Sequence, residues 1–211
     1  MKLLILGGGG MLGHMLADVA SLNSAISVTA SERKPLAESK RNRAVSVASF
    51  DAYSLNYDTI DSLFGQRFDY CVNCIGAVKQ LKDMPDSDMY YLNATFPSFL
   101  ANICKLYQTR LIHVSTDCVF VGDKGDYCET ESPNAHDTYG YSKFLGEQIA
   151  DSSLVLRTSI VGPELHGSRR GLLEWFLGEP GVVTGYTEAY FSGVTTLRLS
   201  EFIVDLLQRG K

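Results

Sequence analysis

Two groups of residues could carry chemistry in this chain. Gly7-x-x-Gly10-x-x-Gly13 follows a short apolar run, and Tyr139-x-x-x-Lys143 lies far downstream. A glycine turn between a buried strand and a helix is the seat of a dinucleotide pyrophosphate. Gly7 permits the turn, Gly10 lets backbone N–H groups approach the phosphates, and Gly13 lets the helix pack close. The spacing is three and three, and Gly8 with Gly10 also allows a G-x-G-x-x-G reading. A turn that binds nothing is the plainer alternative. Tyr139 and Lys143 are four residues apart, so on a helix they share a face. A phenol with an ordinary pKa near ~10 is a poor acid or base at neutral pH, and a neighbouring ammonium stabilises its phenolate. Tyr141 points away from Lys143 on the same helix. His113-Val114-Ser115-Thr116-Asp117 carries an apolar strand into a polar end. Ligands of open α/β sheets sit at such carboxyl ends, which puts Ser115, Thr116 and Asp117 at the site. Thr116 holding a carbonyl while Tyr139 gives a proton suits hydride transfer to a ketone.

The end of the second strand selects the cofactor. Ser31, Arg33 and Lys34 suit a 2′-phosphate, whereas Glu32 suits free ribose hydroxyls. NADP(H) is favoured and NAD(H) stays open. Asp51 is placed either to accept from an adenine amino group or to cap a turn.

The elements that must position these groups alternate. Strands are expected at 2–6, 26–30, 44–48, 70–75, 110–115 and 154–157. Helices are expected at 11–20, 58–64, 89–107, 139–150 and 200–208. Continuous apolar strands alternating with amphipathic helices predict an α/β fold, a Rossmann-type doubly wound parallel sheet. Residues 1–160 form its NAD(P)-binding domain, and 161–211 a small, shortened substrate lobe packed on it as one structural unit. The stretch 120–138 reads as an ordered loop. Tyr186 and Tyr190 either contact substrate or, the preferred reading, pack.

Composition narrows the partners. The net charge of −5 lacks a nucleic-acid footprint, and no apolar run approaches the ~20 residues that span a bilayer. The short apolar N-terminus lacks the features of a signal peptide. Five cysteines, Cys71, Cys74, Cys104, Cys118 and Cys128, show no framework spacing. Cys71-x-x-Cys74 lies in an apolar run and reads as buried thiols rather than a redox or metal site. A cytoplasmic setting follows. His14, His113, His136 and His166 show no ligand spacing, and no metal is expected.

Taken together, these motifs resemble the extended short-chain dehydrogenase/reductases, and within them the sugar-nucleotide reductases of the dTDP-4-dehydrorhamnose reductase type. The resemblance rests on the glycine motif, Val72-Asn73-Cys74-Ile75-Gly76-Ala77, Asn93-Ala94, Val114 to Phe120, and Tyr139 to Glu147. It covers residues 1–165 well and the remainder loosely. It implies a Thr116–Tyr139–Lys143 catalytic set, with Lys143 also on the nicotinamide ribose. Gly7, Gly10, Met11, Leu12 and Gly13 would hold the pyrophosphate, and Asp51 the adenine. Cys74, Ile75 and Gly76 would line the middle of the cofactor, with Ser115 beside it, and Arg157 would face the substrate with Thr116 and Asp117. The implied reaction is NAD(P)H-dependent reduction of a keto group on a nucleotide-activated deoxy sugar, in polysaccharide or dTDP-rhamnose biosynthesis, by a protein that could form a homodimer. Two other readings stay open. One is an epimerase or dehydratase, although Cys118 follows Asp117 where dehydratases carry Glu. The other is a non-catalytic NADP-binding regulatory subunit, which a reduced lobe would fit. Family members run longer at the C-terminal side, and rhamnose reductases commonly carry an aromatic where Cys118 stands.

Overall fold

The computed structural model describes residues 1–33, 42, 44–81, 83–149, 153–165 and 171–210. Its elements run β1 (Lys2–Leu6), α1 (Met11–Ser21), β2 (Ser27–Glu32), β3 (Ser46–Ser49), α2 (Tyr57–Phe64), β4 (Tyr70–Asn73) and α3 (Asp86–Tyr90). A π-helical turn, Tyr91–Thr95, leads into α4 (Phe96–Leu106), followed by β5 (Arg110–Val114) and a 3₁₀ turn, Asp117–Val119. Then come α5 (Thr138–Gly146), β6 (Leu154–Leu156), β7 (Ile160–Val161), α6 (Leu172–Gly178), β8 (Val194–Thr195) and α7 (Thr196–Gln208). Six strands form a parallel sheet in the order β3-β2-β1-β4-β5-β6, and β7 pairs with β8 in a second, two-stranded sheet. This is the expected α/β Rossmann-type architecture.

The chain divides into two compact units, Met1–Asp51 with Ser159–Lys211, and Ala52–Thr158. That division does not follow the boundary at residue 160. In the first unit α7 packs along α1, burying Leu199, Ile203 and Leu207, while α1 buries Leu12, Leu16, Ala17 and Ala20. The last helix therefore belongs with the first fifty residues. β1 is the centre of this unit's core, with Leu3, Leu4, Ile5 and Leu6 all inaccessible. A strand covered on both faces needs such an unbroken apolar run. β2 runs parallel to β1, pairing Leu4 with Thr29 and Ile5 with Ala30.

The second unit holds β4, β5 and β6 in parallel register, with Asn73 beside His113 and Val114 beside Leu156. Tyr70, Cys71, Val72 and Asn73 are all buried. Local signals set the helix starts. Asn56 and Thr59 form a reciprocal capping box on α2, and the Asp137 carboxylate accepts from the Gly140 N–H at 3.2 Å to open α5.

Several boundaries differ from the sequence expectation. β2 extends to Glu32, because Ser31 and Glu32 still pair with β3. The long helix expected at 89–107 starts at Asp86 and is broken by the π turn. The α5 helix stops at Gly146, and α7 starts at Thr196, where the Thr195 hydroxyl accepts from the Arg198 N–H at 3.1 Å. β7, α6 and β8 were not expected at all. Tyr186 and Tyr190 do not pack: they are 87% and 97% exposed.

Candidate active site

Residues of the glycine loop lie in the first unit. Gly7 has φ of +85°, a conformation that a Cβ disfavours. A Cβ on Gly13 would lie 2.1 Å from the Gly7 carbonyl oxygen, so α1 can meet β1 this closely only with glycine there. The Gly10 N–H donates to the Gly7 carbonyl at 2.9 Å. Gly10 is exposed and is the N-cap of α1, with no side chain capping the helix. Free N–H groups at an uncapped helix start are what a pyrophosphate needs. Met11 and Leu12 form the first turn of the helix, Met11 half-buried and Leu12 buried.

The cofactor-selecting residues are only partly disposed as expected. The Gly7 N–H donates to Ser31 Oγ at 3.1 Å, and Ser31 is almost inaccessible. Its hydroxyl thus ties the glycine loop to β2. Glu32 is also buried, and Arg33 is exposed at the strand end. Lys34 lies outside the described residues, as does His166. Asp51 is half-buried just past β3.

Within the second unit the strand end and α5 come together. Thr116 is buried and caps the 3₁₀ turn, accepting from the Cys118 N–H at 3.1 Å and donating to Asp117 Oδ1 at 3.3 Å. Burial pushes the Tyr139 phenol up from its ordinary value, and a hydrogen bond with Thr116 opposes that rise. Thr116 therefore lies next to the Tyr139 phenol. Lys143 donates to the Val114 carbonyl at 2.8 Å, and a Cβ on Gly76 would lie 3.5 Å from its Nζ. Burial lowers Lys143 to about 8, against the opposing influence of Glu147 and then Cys74. The expected lowering of the Tyr139 phenol is not what the free protein shows: burial dominates, and the ammonium is engaged with backbone.

Cys74, Ile75 and Gly76 follow β4, with Gly76 exposed. The Cys74 thiol is pushed up to about 12 by desolvation, opposed by Lys143. Cys71 is raised well above its usual value by burial and by its hydrogen bond with Cys104. Both thiols are held protonated, which removes the nucleophile a redox pair requires.

Four supporting residues were missed as such by the sequence reading. Asn93, inaccessible in the π turn, accepts from the Ala77 N–H at 2.8 Å and donates to the Ala77 carbonyl at 3.2 Å and to Ser142 Oγ at 3.1 Å. It clamps the segment after β4 to α5. Asn73 Oδ1 accepts from the Ile75 N–H at 3.1 Å, leaving Nδ2 to donate to His113 Nδ1 at 3.1 Å. His113 then carries its proton on Nε2, and burial, followed by the Lys143 charge, holds it neutral by pushing it well below its usual value. Glu147 is the fourth. Ser115 Oγ donates to its Oε1 at 2.6 Å, and Arg157 donates Nε at 3.0 Å to Oε1 and Nη2 at 2.8 Å to Oε2. Ser115 and Arg157, expected on cofactor and substrate, are both engaged by this carboxylate. Asn93 had a motif around it in the sequence. The Glu147 pairing had no local signal, because its partners lie on other elements.

The loop at 120–138 is ordered by stacking. Arg157 lies over Phe120 at 5.2 Å, and Phe120 stacks on Tyr127 with centroids 4.3 Å apart.

Comparison with known proteins points to one family and one fold. The model of the RmlD substrate binding domain matches residues 1–170. The dTDP-4-dehydrorhamnose reductase of Aggregatibacter actinomycetemcomitans is 28% identical over 170 residues, 75% of this chain and 51% of that protein. The chain thus spans about half the length of that curated relative. The crystal structure of a hypothetical dTDP-4-dehydrorhamnose reductase from Sulfolobus tokodaii superposes with a TM-score of 0.79 at 26% identity, over 100% of this chain and 74% of that one. The Bacillus anthracis dTDP-4-dehydrorhamnose reductase, solved in complex with NADP, has the same fold, with a TM-score of 0.71 at 20% identity over 98% and 70% of the two chains. With more than three quarters of its length matched by the family model, this chain belongs to the RmlD substrate-binding domain family.

Proposed function

We propose that this chain carries the cofactor-binding and proton-transfer machinery of an NAD(P)H-dependent reductase acting on a keto group of a nucleotide-activated deoxy sugar. The observation that carries the reading is the convergence at the end of β5: Thr116 is buried there, and Lys143, buried on α5 one helical turn beyond Tyr139, donates to the Val114 carbonyl at 2.8 Å. Gly7, Gly10, Met11, Leu12 and Gly13 would hold a pyrophosphate, and the uncapped start of α1 fits one. Arg33, exposed at the end of β2, supports NADP(H) as the favoured cofactor, with NAD(H) the alternative. A reduced nicotinamide supplies hydride when bound. Thr116 then steadies the substrate carbonyl, and Tyr139 donates the proton to the alkoxide as it forms. Thr116 donates to Asp117 in this structure, so holding the carbonyl requires its hydroxyl to rotate from that carboxylate to the substrate.

The protein's own electrostatics favour donation over abstraction. Burial raises Tyr139, so the phenol is fully protonated at neutral pH, as a proton donor must be. The family match and the dTDP-4-dehydrorhamnose reductase relatives support a dTDP-4-keto-6-deoxy sugar as substrate, within a biosynthetic cytoplasmic setting. Among the described residues no helix is long and apolar enough to cross a membrane.

Loss of NADPH absorbance on adding dTDP-4-keto-6-deoxy sugars tests the reading. Tyr139→Phe is expected to cut turnover at least a hundredfold while NADPH affinity stays within about twofold. A Tyr139→Phe protein that turned over normally would remove Tyr139 as the proton donor. Tight NADPH binding by the parent with no turnover of any keto sugar would instead favour a non-catalytic, regulatory role.

A further inference from the structure

We infer that Glu147 is a positioning residue for the reaction, a buried negative charge one helical turn from the Lys143 ammonium that ties α5 to the strand end bearing Thr116. This rests on the reductase reading above. Lys143 and Glu147 are four residues apart on one face of α5, and the Glu147 side chain is only 5% exposed. Its two oxygens are claimed from two sides. Ser115, the neighbour of Thr116, donates to Oε1, and Arg157, just past β6, forks onto both oxygens. One carboxylate thereby joins the carboxyl ends of β5 and β6 to the end of the helix that carries Tyr139 and Lys143.

Its position works against local preference. Glu147 is the C-cap of α5, where the helix dipole disfavours a negative charge. A buried acid is also expensive unless paired. Arg157 meets that cost with a bidentate geometry which Lys does not reproduce. That placement also sets a buried negative charge one turn from the Lys143 ammonium.

The titratable groups facing Lys143 are few. Tyr139 and Glu147 lie on its own helix, Cys74 follows β4, His113 lies on β5, and Arg157 acts through Glu147. Cys74 is held as a thiol and His113 as neutral imidazole. Glu147 is thus the anion that offsets burial of the lysine, and removing it should leave the ammonium harder to keep.

The test follows the Lys143 side chain by NMR in protein labelled with ¹³C-lysine, the resonance being assigned by its loss in Lys143→Met. Glu147→Gln is expected to move the titration midpoint down from about 8 by about one pH unit. Arg157→Met, which leaves the carboxylate but removes its cation, is expected to move it up. The opposite signs keep the test decisive if one variant fails to fold. With NADPH and keto sugar, the alkaline limb of kcat/KM should move with the midpoint in Glu147→Gln. A merely structural tie would lower activity equally at every pH. Unmoved midpoints, or moved midpoints with a parallel activity profile, would overturn the inference. The midpoints are read without substrate, so failure of the reductase reading would show separately, as normal turnover by Tyr139→Phe.

Discussion

Lys143 shows how much a single residue at this site costs the fold. Its amine is nearly inaccessible and is lowered to about 8, whereas an unfolded lysine titrates near ~10.4. Between those values the unfolded chain binds more protons than the folded one, so stability rises with pH through that window. Below about pH 8 the penalty is present in full, at about 3 kcal/mol from about 1.4 kcal/mol per pH unit. Lys143→Met should therefore be more stable than the parent at pH 7 by up to that amount, and the advantage should shrink as pH approaches 10. Glu147 would keep Arg157 and Ser115, so the substitution strands no buried carboxylate. Urea unfolding at both pH values decides it. A variant less stable than the parent at pH 7 would mean that the Val114 hydrogen bond outweighs the burial of charge. That Lys143 and Tyr139 share a helix was legible from their spacing, because four residues on a helix is a local relation. Its electrostatic surroundings were not, since Cys74 and His113 reach it only through the fold.

At the scale of the elements, the π turn at Tyr91–Thr95 is the feature the sequence concealed. Its residues continue a helical apolar pattern, so nothing in the composition marks the change of hydrogen bonding. Its consequence is the inward placement of Asn93, whose amide serves both polar groups of Ala77 as a neighbouring strand would. Asn93→Ala leaves a buried N–H and C=O without those partners and frees Ser142 Oγ from one of them. We expect a loss of about 3 kcal/mol, from about 1–3 kcal/mol per stranded group. Thermal unfolding measures it, and a loss below about 0.5 kcal/mol would show that the segment after β4 is held by other contacts. The strands of the six-stranded sheet, by contrast, were each read to within two residues at either end. β1 buries four residues in succession, and β4 and β5 bury apolar pairs at their centres, a condition that writes itself into the chain as short apolar runs. β7 and β8 have two residues each, too short for any periodicity to register.

For the molecule as a whole, apolar exposure is concentrated on one segment of the chain. α6 buries none of its residues, and Leu172, Phe176 and Leu177 are 64%, 56% and 69% exposed. Val182, Tyr186, Tyr190 and Phe191 continue the exposed series. The sequence Leu-Leu-Glu-Trp-Phe-Leu-Gly is apolar nearly all round, so it lacked the one-sided pattern that announces a surface helix. The preference for packing at Tyr186 and Tyr190 failed for a related reason: aromatic residues are usually covered, but covering needs a neighbour. Trp175, the chain's single tryptophan, lies on α6 and is 44% exposed, which makes it a direct reporter. In dilute solution its emission should lie close to that of the denatured chain, and acrylamide should quench it within about twofold of the denatured rate. Phe176→Ser, which removes an apolar side chain already in water, should change stability by less than about 0.5 kcal/mol. Blue-shifted emission that is protected from acrylamide and returns toward the denatured value on dilution would show instead that copies of the chain cover this helix. Phe176→Ser should then abolish the protection.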